Sequence, residues 1–153
     1  MGNDRPIVVE QTYSAPVEDV WRAITDQDLM PRWFFEEIQA FRPEPGFETQ
    51  FNVRFEDRDF LHQWRITEVV PRQRIVYNWK YGGHPGESFV TWELAETPAG
   101  TRLKLTHRGL ESFPQDEPAF RRDSCEAGWQ YFLGERLKEF LSRTNTGSAS
   151  SRP

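Results

Sequence analysis

Five consecutive stretches between residues 47 and 108 alternate apolar and polar side chains, and short turn sequences separate them. In residues 47–55 every odd-numbered position is apolar or threonine, and every even-numbered position is polar. A related alternation recurs in residues 60–70, 75–81, 89–96 and 101–108. A period of two is typical of a β-strand with one buried face. Short turns join antiparallel neighbours, so the pattern predicts an antiparallel meander with one packed face and one wet face.

Two short helices are predicted between a first strand and this meander. Residues 7–13 are rich in β-branched side chains, which favours a strand. Ser14 is then expected to cap a helix that has Pro16 in its first turn. The apolar residues of that helix are three and four positions apart and indicate one buried stripe: Val17, Val20, Trp21 and Ile24. Residues 28–34 are predicted to form a second helical turn.

A long C-terminal helix is predicted over residues 117–143. Asp116 is expected to cap it, and Pro118 fits its first turn. Its apolar residues fall on one helical stripe: Trp129, Phe132, Leu133, Leu137, Phe140 and Leu141. At 1.5 Å per residue such a helix is about 40 Å long, enough to cross the packed face of the sheet. The predicted fold class is therefore α+β, with a curved antiparallel β-sheet wrapped around the long C-terminal helix.

Length and composition fit one packed domain. The chain has 153 residues; residues 1–143 are expected to form the domain and residues 144–153 a disordered polar tail. Only 37% of the residues are hydrophobic, yet 6 Trp, 4 Tyr and 12 Phe supply large side chains for a core. These proportions argue against general disorder and against a membrane-spanning segment.

Charge and cysteine content exclude further classes of protein. The formal net charge of -5 argues against a nucleic-acid-binding protein. The single cysteine, Cys125, excludes an intramolecular disulfide and a multi-cysteine metal site. The N-terminus has no apolar signal core behind a basic start, so a reducing, cytoplasmic location is expected.

Five short segments carry a resemblance to a known superfamily. They read APVEDVWRAIT at residues 15–25, EVVP at 68–71, IVYNW at 75–79, GTRLKLTHRGL at 100–110 and GW at 128–129. With these segments the chain resembles the START-like (SRPBCC, Bet v 1-like) superfamily, and within it the branch named after the activator of the heat-shock protein 90 ATPase. The resemblance covers about residues 6–142. It implies a helix-grip fold with a cavity between sheet and helix, commonly used to hold an apolar or aromatic small molecule.

The candidate ligand-cavity residues lie on the predicted inward faces of the strands and helices. They are Trp33, Phe51, His62, Trp64, Tyr77, Trp79, Trp92, His107, Cys125, Trp129 and Phe132. Large flat rings leave slots, and slots with indole N–H and phenol O–H groups suit a flat ligand with a few polar atoms. Ordinary core packing is the alternative explanation for the same rings.

The sequence identifies no catalytic residue. His62 and His107 lie on apolar strand faces, where an imidazole either bonds a buried polar group or titrates beside a ligand. An enzyme would need His62, His107, Tyr77 or Glu37 in the cavity beside a second polar group. Nothing next to Cys125 in the sequence would lower the pKa of its thiol. The histidines lack metal-ligand spacing, so no metal and no cofactor is expected.

Three functions from different classes stay open. The leading hypothesis is a non-enzymatic domain whose partner is a small hydrophobic or aromatic molecule. The second is a chaperone-regulating module like the namesake of the branch, with a chaperone as its partner. The third is an enzyme of the polyketide cyclase or aromatase kind, which the wider superfamily includes. No nucleic-acid or membrane partner is expected, and the oligomeric state, monomer or homodimer, stays open.

Overall fold

A six-stranded antiparallel sheet dominates the computed structural model, which describes residues 6–55 and 57–142. The predicted tail, residues 144–153, lies outside the described residues. The strands are β1 (Ile7–Tyr13), β2 (Glu48–Phe55), β3 (Arg58–Val70), β4 (Arg74–Tyr81), β5 (Ser88–Thr97) and β6 (Gly100–Arg108). Their order in the sheet is β1-β6-β5-β4-β3-β2. The predicted meander is therefore confirmed, with each strand from β2 to β6 bonded to its neighbour in sequence.

Strand β1 does not pair with β2 but with β6, the last strand, in a register that sets Ile7 opposite His107. The chain between β1 and β2 must therefore cross from one edge of the sheet to the other. Two short helices occupy this crossing, α1 (Val17–Thr25) and α2 (Met30–Trp33). Because they bury Val20, Ile24 and Trp33 almost completely, the crossing also covers part of the concave face.

The start of α1 differs from the sequence prediction. Pro16, not Ser14, is the N-cap residue, and its extended backbone (ψ 155°) lets its carbonyl accept the N–H groups of Asp19 and Val20. Proline has no N–H to satisfy, so it suits the N-terminus of a helix. The predicted capping role of Ser14 is therefore wrong.

The start of the C-terminal helix also differs from the prediction. Residues Pro118–Phe120 form a separate 3₁₀ turn, whose cap is Glu117 rather than Asp116, because a Glu117 carboxylate oxygen accepts the Ala119 N–H. The extended backbone of Arg121 (ψ 152°) then ends this turn. Helix α3 starts as Arg122–Tyr131, continues through a π-helical segment and ends at residue 142. At 1.5 Å per residue it is about 32 Å long, shorter than predicted.

The core lies between the concave face of the sheet and α3. Helix α3 contributes Trp129, Leu133 and Leu137, all at most 4% exposed. In its π-helical segment (Phe132–Arg136) the Leu133 carbonyl accepts a buried 2.7 Å hydrogen bond from the Tyr13 hydroxyl of β1. This bond fixes the helix to the sheet edge. Within the described residues, no helix is long and apolar enough to span a membrane.

Candidate functional site

A cavity of about 450 Å³ lies between the sheet and the first half of α3. Its floor comes from the start of β3, the end of β4 and the end of β6, and α3 and the 3₁₀ turn before it form its roof. The lining residues are mostly aromatic or small: Phe34, Phe35, Val53, Phe60, His62, Trp79, Tyr81, His107, Pro118, Ala119, Phe120, Ser124, Cys125, Gly128, Trp129 and Phe132.

The structure brings six of the eleven predicted cavity residues together around this space. They are His62, Trp79, His107, Cys125, Trp129 and Phe132. The other five predicted residues lie in the solid core and do not line this cavity. They are Trp33, Phe51, Trp64, Tyr77 and Trp92, each at most 4% exposed.

The five core residues are excluded from the cavity because the chain after α2 fills that end of the concave face. Phe34 stacks over Trp64 at 5.8 Å between ring centroids, and Phe41 lies 5.8 Å from Tyr77. The Trp92 indole N–H donates to the Tyr77 hydroxyl at 3.0 Å at this end, while the buried Trp64 Nε1 has no partner in the described part of the chain. Residues on one face of the sheet therefore divide into a packed end and an open end.

His107 is held by hydrogen bonds on both ring nitrogens. Its Nδ1 accepts the Trp129 indole N–H at 3.0 Å, so the proton of the neutral ring lies on Nε2. Nε2 donates to the Ser88 hydroxyl at 2.9 Å, and this hydroxyl donates to the Trp79 carbonyl. Burial lowers the pKa of His107 to about 3. Its ring is therefore a neutral structural link from α3 to the sheet, with no free nitrogen for a ligand.

Only one ring nitrogen of His62 makes a hydrogen bond among the described residues. Its Nδ1 lies 3.0 Å from the carbonyl oxygen of Phe60, and a carbonyl oxygen only accepts, so Nδ1 carries the proton of the neutral ring. Burial lowers the pKa of His62 to about 4, although the bond to Phe60 acts in the opposite direction. The neutral imidazole therefore has an unprotonated Nε2 at the cavity.

Cys125 lines the cavity as a protonated thiol. Burial, and secondarily the charge of Asp123, raises the pKa of Cys125 to about 12. Its Sγ lies 3.7 Å from the Ala119 carbonyl, to which the thiol donates. A nucleophilic role needs the thiolate, so this environment makes Cys125 a wall residue.

The cavity lining carries no Asp, Glu, Lys or Arg among the described residues. Burial also raises the pKa of the Tyr81 phenol in the lining, while the Trp79 indole acts in the opposite direction. Two other acid–base candidates from the sequence, Tyr77 and Glu37, lie outside the lining. Glu37 lies in a turn after α2. The cavity is thus uncharged at neutral pH.

The described residues contain no cluster of three or more His, Cys, Asp or Glu side chains placed to hold a metal ion. The cavity itself contributes two imidazoles and one thiol, and one of these imidazoles has both nitrogens in hydrogen bonds. Polar recognition in this site therefore depends on hydrogen bonds from neutral groups.

An ion pair joins two walls of the cavity. Arg58, at the start of β3, pairs with the Glu117 carboxylate, whose side chain is only 9% exposed. The Arg58 guanidinium also lies 5.6 Å from the ring centroid of Phe60, which lines the cavity. Glu117 precedes the 3₁₀ turn, so the pair ties the β2–β3 hairpin to the segment that leads into α3.

Sequence reasoning missed most of the lining. The residues it did not propose are Phe34, Phe35, Val53, Phe60, Tyr81, Pro118, Ala119, Phe120, Ser124 and Gly128. Three of them could have been inferred from the alternation, because Val53 shares the strand face of Phe51, Phe60 that of His62 and Tyr81 that of Trp79. The lining residues of the 3₁₀ turn could not be inferred in this way, because the pattern of apolar residues does not show that the helix is interrupted by extended backbone at Arg121.

Comparisons with known proteins agree with this architecture. The family model described as "Activator of Hsp90 ATPase homolog 1-like protein" matches residues 14–142. The human activator of 90 kDa heat shock protein ATPase homolog 1 is 26% identical over 136 residues, which are 87% of this chain and 36% of the human protein. The chain thus spans about a third of the length of that curated relative.

Solved structures share the fold over nearly the whole chain. Protein CV1439 from Chromobacterium violaceum superposes with a TM-score of 0.76 at 25% identity, covering 92% of this chain and 98% of that one. DynU16, a protein of the dynemicin biosynthetic locus, gives a TM-score of 0.70 at 27% identity, covering 91% and 48%. The match across residues 14–142, with this helix-grip architecture, places the chain in the Activator of Hsp90 ATPase homolog 1-like family.

Proposed function

We propose that this chain is a small-molecule-binding domain that holds an uncharged hydrophobic or aromatic ligand between the sheet and α3. The observation that carries the proposal is the cavity itself: about 450 Å³, mostly aromatic and without a charged side chain in its lining. Ligand sites in proteins have volumes of roughly 300 to 1,000 Å³ and mainly apolar walls with a few polar groups. An aromatic ligand matches this space in size and in chemistry.

A packing defect is a poor alternative explanation for this cavity. Protein interiors are close-packed and contain few voids larger than a water molecule, whereas this cavity has a volume of about 450 Å³. The same core packs its rings tightly at the other end of the sheet, where the centroids of Trp64 and Tyr77 are 4.9 Å apart. Open space beside such packing supports a role in binding.

Gly128 offers a way to test the cavity without disturbing the fold. It lines the cavity on α3, and a Cβ added there would meet no atom within 4 Å. Gly128→Leu is expected to fill part of the cavity and abolish binding, whereas Gly128→Ala at the same position leaves most of the volume open. Both variants remove a glycine from a helix, so both are expected to remain folded.

The experiment combines native mass spectrometry of the freshly purified protein with a titration of N-phenyl-1-naphthylamine, an uncharged fluorescent probe. The expected result is saturable 1:1 binding to the wild type and to Gly128→Ala, with no binding to Gly128→Leu. Extra mass that disappears on denaturation identifies the natural ligand. Absence of saturable binding to the folded wild type would overturn the proposal, as would full binding to Gly128→Leu.

A chaperone-regulating function is the second candidate, favoured by the similarity to the human activator of 90 kDa heat shock protein ATPase homolog 1. This chain corresponds to 36% of that protein, so the activity of the whole relative does not transfer directly. The test is whether the purified chain raises the ATPase rate of a heat-shock protein 90, with Gly128→Leu beside it. If the wild type and Gly128→Leu stimulate the ATPase rate equally, the chaperone-regulating function is favoured over ligand binding.

An enzyme of the cyclase or aromatase kind is the third candidate. It is favoured by the similarity to DynU16, from a biosynthetic locus, and by the unprotonated nitrogen of His62 at the cavity. In an enzyme, His62→Ala would lower the rate roughly a hundredfold or more. In a pure binder the same change would alter affinity by less than about tenfold.

A further inference from the structure

At one end of the cavity, two ring nitrogens beside the Tyr81 hydroxyl make no hydrogen bond among the described residues. His62 donates through Nδ1 to the Phe60 carbonyl, and its Nε2, an acceptor in the neutral ring, makes no hydrogen bond within residues 6–55 and 57–142. Tyr81 lies opposite His62 in the β3–β4 register, with ring centroids 4.9 Å apart, and its hydroxyl is close enough to the Trp79 indole for that group to lower its pKa. Trp79, 5.5 Å from His62, has a buried Nε1 without a partner.

Several buried polar groups on this face of the sheet are paired, whereas Trp64 Nε1 in the packed core lacks a partner among the described residues, as Trp79 Nε1 does. His107 has a partner on each nitrogen, and the Trp92 indole donates to the Tyr77 hydroxyl. Most buried polar side-chain atoms in proteins have a hydrogen-bond partner, and unpaired ones need an explanation. His62, Trp79 and Tyr81 all line the cavity, so a molecule in the cavity is the available partner.

Resting on the proposed function, we infer that the ligand is an uncharged aromatic molecule that carries a hydroxyl group, of the phenol or naphthol class. The hydroxyl donates its proton to His62 Nε2 and accepts a hydrogen bond from the Tyr81 hydroxyl or the Trp79 N–H. A single hydroxyl oxygen meets both requirements, because it is donor and acceptor at once. A ketone or an ether would leave Nε2 unpaired, since neither has a proton to donate.

A charged ligand does not fit this site. The lining contains no cation to neutralise a carboxylate or phosphate and no anion to neutralise an amine. Transfer of an ionised group from water into an apolar cavity without such a partner is strongly unfavourable. Two buried imidazoles that resist protonation add no positive charge at neutral pH. The site therefore selects for a neutral hydroxyl over an acid of the same shape.

The test compares three ligands with the same ring system: 2-naphthol, 2-methoxynaphthalene and 2-naphthoate. Dissociation constants come from quenching of the intrinsic tryptophan fluorescence or from calorimetry. On the wild type, 2-naphthol is expected to bind about threefold to tenfold more tightly than 2-methoxynaphthalene, which corresponds to one net hydrogen bond. The naphthoate is expected to bind most weakly. Equal affinities of naphthol and its methyl ether would overturn the inference and leave cavity binding intact.

A variant series identifies the acceptor. His62→Phe retains a ring at the position and removes the nitrogen, so it is expected to bind 2-naphthol and 2-methoxynaphthalene equally. Gln63→Ala, the next residue of β3 and on the outer face, serves as the matched control and keeps the naphthol preference. If His62→Phe retains the full preference, the inference is wrong. Failure of all three ligands to bind the wild type would overturn the proposed function as well.

A measurement on the wild type covers the case in which His62→Phe does not fold. Nitrogen-15 NMR of the histidine rings reports which nitrogen carries the proton. The His62 Nε2 resonance is expected at the position of an unprotonated nitrogen and to shift when 2-naphthol is added, but not when 2-methoxynaphthalene is added. A resonance that responds equally to both ligands, or to neither at saturation, contradicts the inference.

Discussion

The indole N–H of Trp129 donates a 3.0 Å hydrogen bond to Nδ1 of His107, and this bond connects the long helix to the last strand of the sheet. The bond also fixes the tautomer of the imidazole, so that Nε2 donates to Ser88. Both rings line the cavity. One wall of the candidate site is thus held by a hydrogen-bond chain that no ligand needs to complete.

Trp129→Phe is expected to destabilise the protein by about 1–3 kcal/mol, because it leaves the buried Nδ1 of His107 without a donor. Urea denaturation at neutral pH measures the free energy of unfolding. Tyr131→Phe serves as the control, since that side chain is 46% exposed on the same helix. If the two variants are equally stable, the Trp129–His107 bond makes no net contribution.

Stability is expected to fall as the pH decreases from about neutral to about pH 4. Burial lowers the pKa of His62 to about 4 and that of His107 to about 3, from an ordinary value of 6.5. As the pH falls below 6.5, the unfolded chain therefore binds protons that the folded chain does not, and the unfolded state is favoured. Each histidine contributes a slope of up to about 1.4 kcal/mol per pH unit in this window.

Urea denaturation between about pH 7 and about pH 5, above the range in which most carboxylates titrate, isolates the histidine contribution to that slope. His62→Phe is expected to remove close to half of it. A free energy of unfolding that stays constant across this range would contradict the neutral, buried state of both rings.

Gly128→Ala is expected to stabilise the protein by about 1 kcal/mol, because alanine has the higher helix propensity and the added Cβ meets open space. Gly134→Ala is the matched comparison on the same helix, where the new Cβ would lie 3.2 Å from the side-chain nitrogen of Gln11. Its gain is expected to be smaller, because Gln11 must shift. Thermal melting of the two variants and the wild type checks the order, and a loss of stability in Gly128→Ala would show that the space there is occupied.

The ion pair between Arg58 and Glu117 is expected to slow ligand exchange, since it ties the β2–β3 hairpin to the turn before α3. Arg58→Met and Glu117→Gln are each expected to release N-phenyl-1-naphthylamine several-fold faster in stopped-flow displacement. Glu117→Gln keeps an oxygen that can accept the Ala119 N–H. Its effect on release therefore reports the loss of the ion pair and not the loss of the hydrogen bond that caps the 3₁₀ turn.

The double variant distinguishes one shared interaction from two separate ones. If the pair acts as a unit, combining Arg58→Met with Glu117→Gln is expected to release the probe no faster than either single variant. Unchanged dissociation in all three variants would mean that the ion pair does not limit exchange.

The strands and most of the buried faces were predictable because the alternation of side chains is a local property. Phe60, His62 and Trp64 point to one side of β3 in any fold that uses this strand, so their burial was readable from residues 60–70. The apolar stripe of α3 was readable for the same reason. The family resemblance added the helix-grip architecture, and the fold confirms it.

Tertiary structure alone decided which of those buried residues face open space. His62 lines the cavity and Trp64 does not, although they are two residues apart on one face, because Phe34 covers Trp64 from a segment that is distant in sequence. Likewise, His107 differs from His62 only because Trp129 and Ser88 reach both of its nitrogens. A cavity is the volume that distant elements leave between them, so no local periodicity of the sequence encodes it.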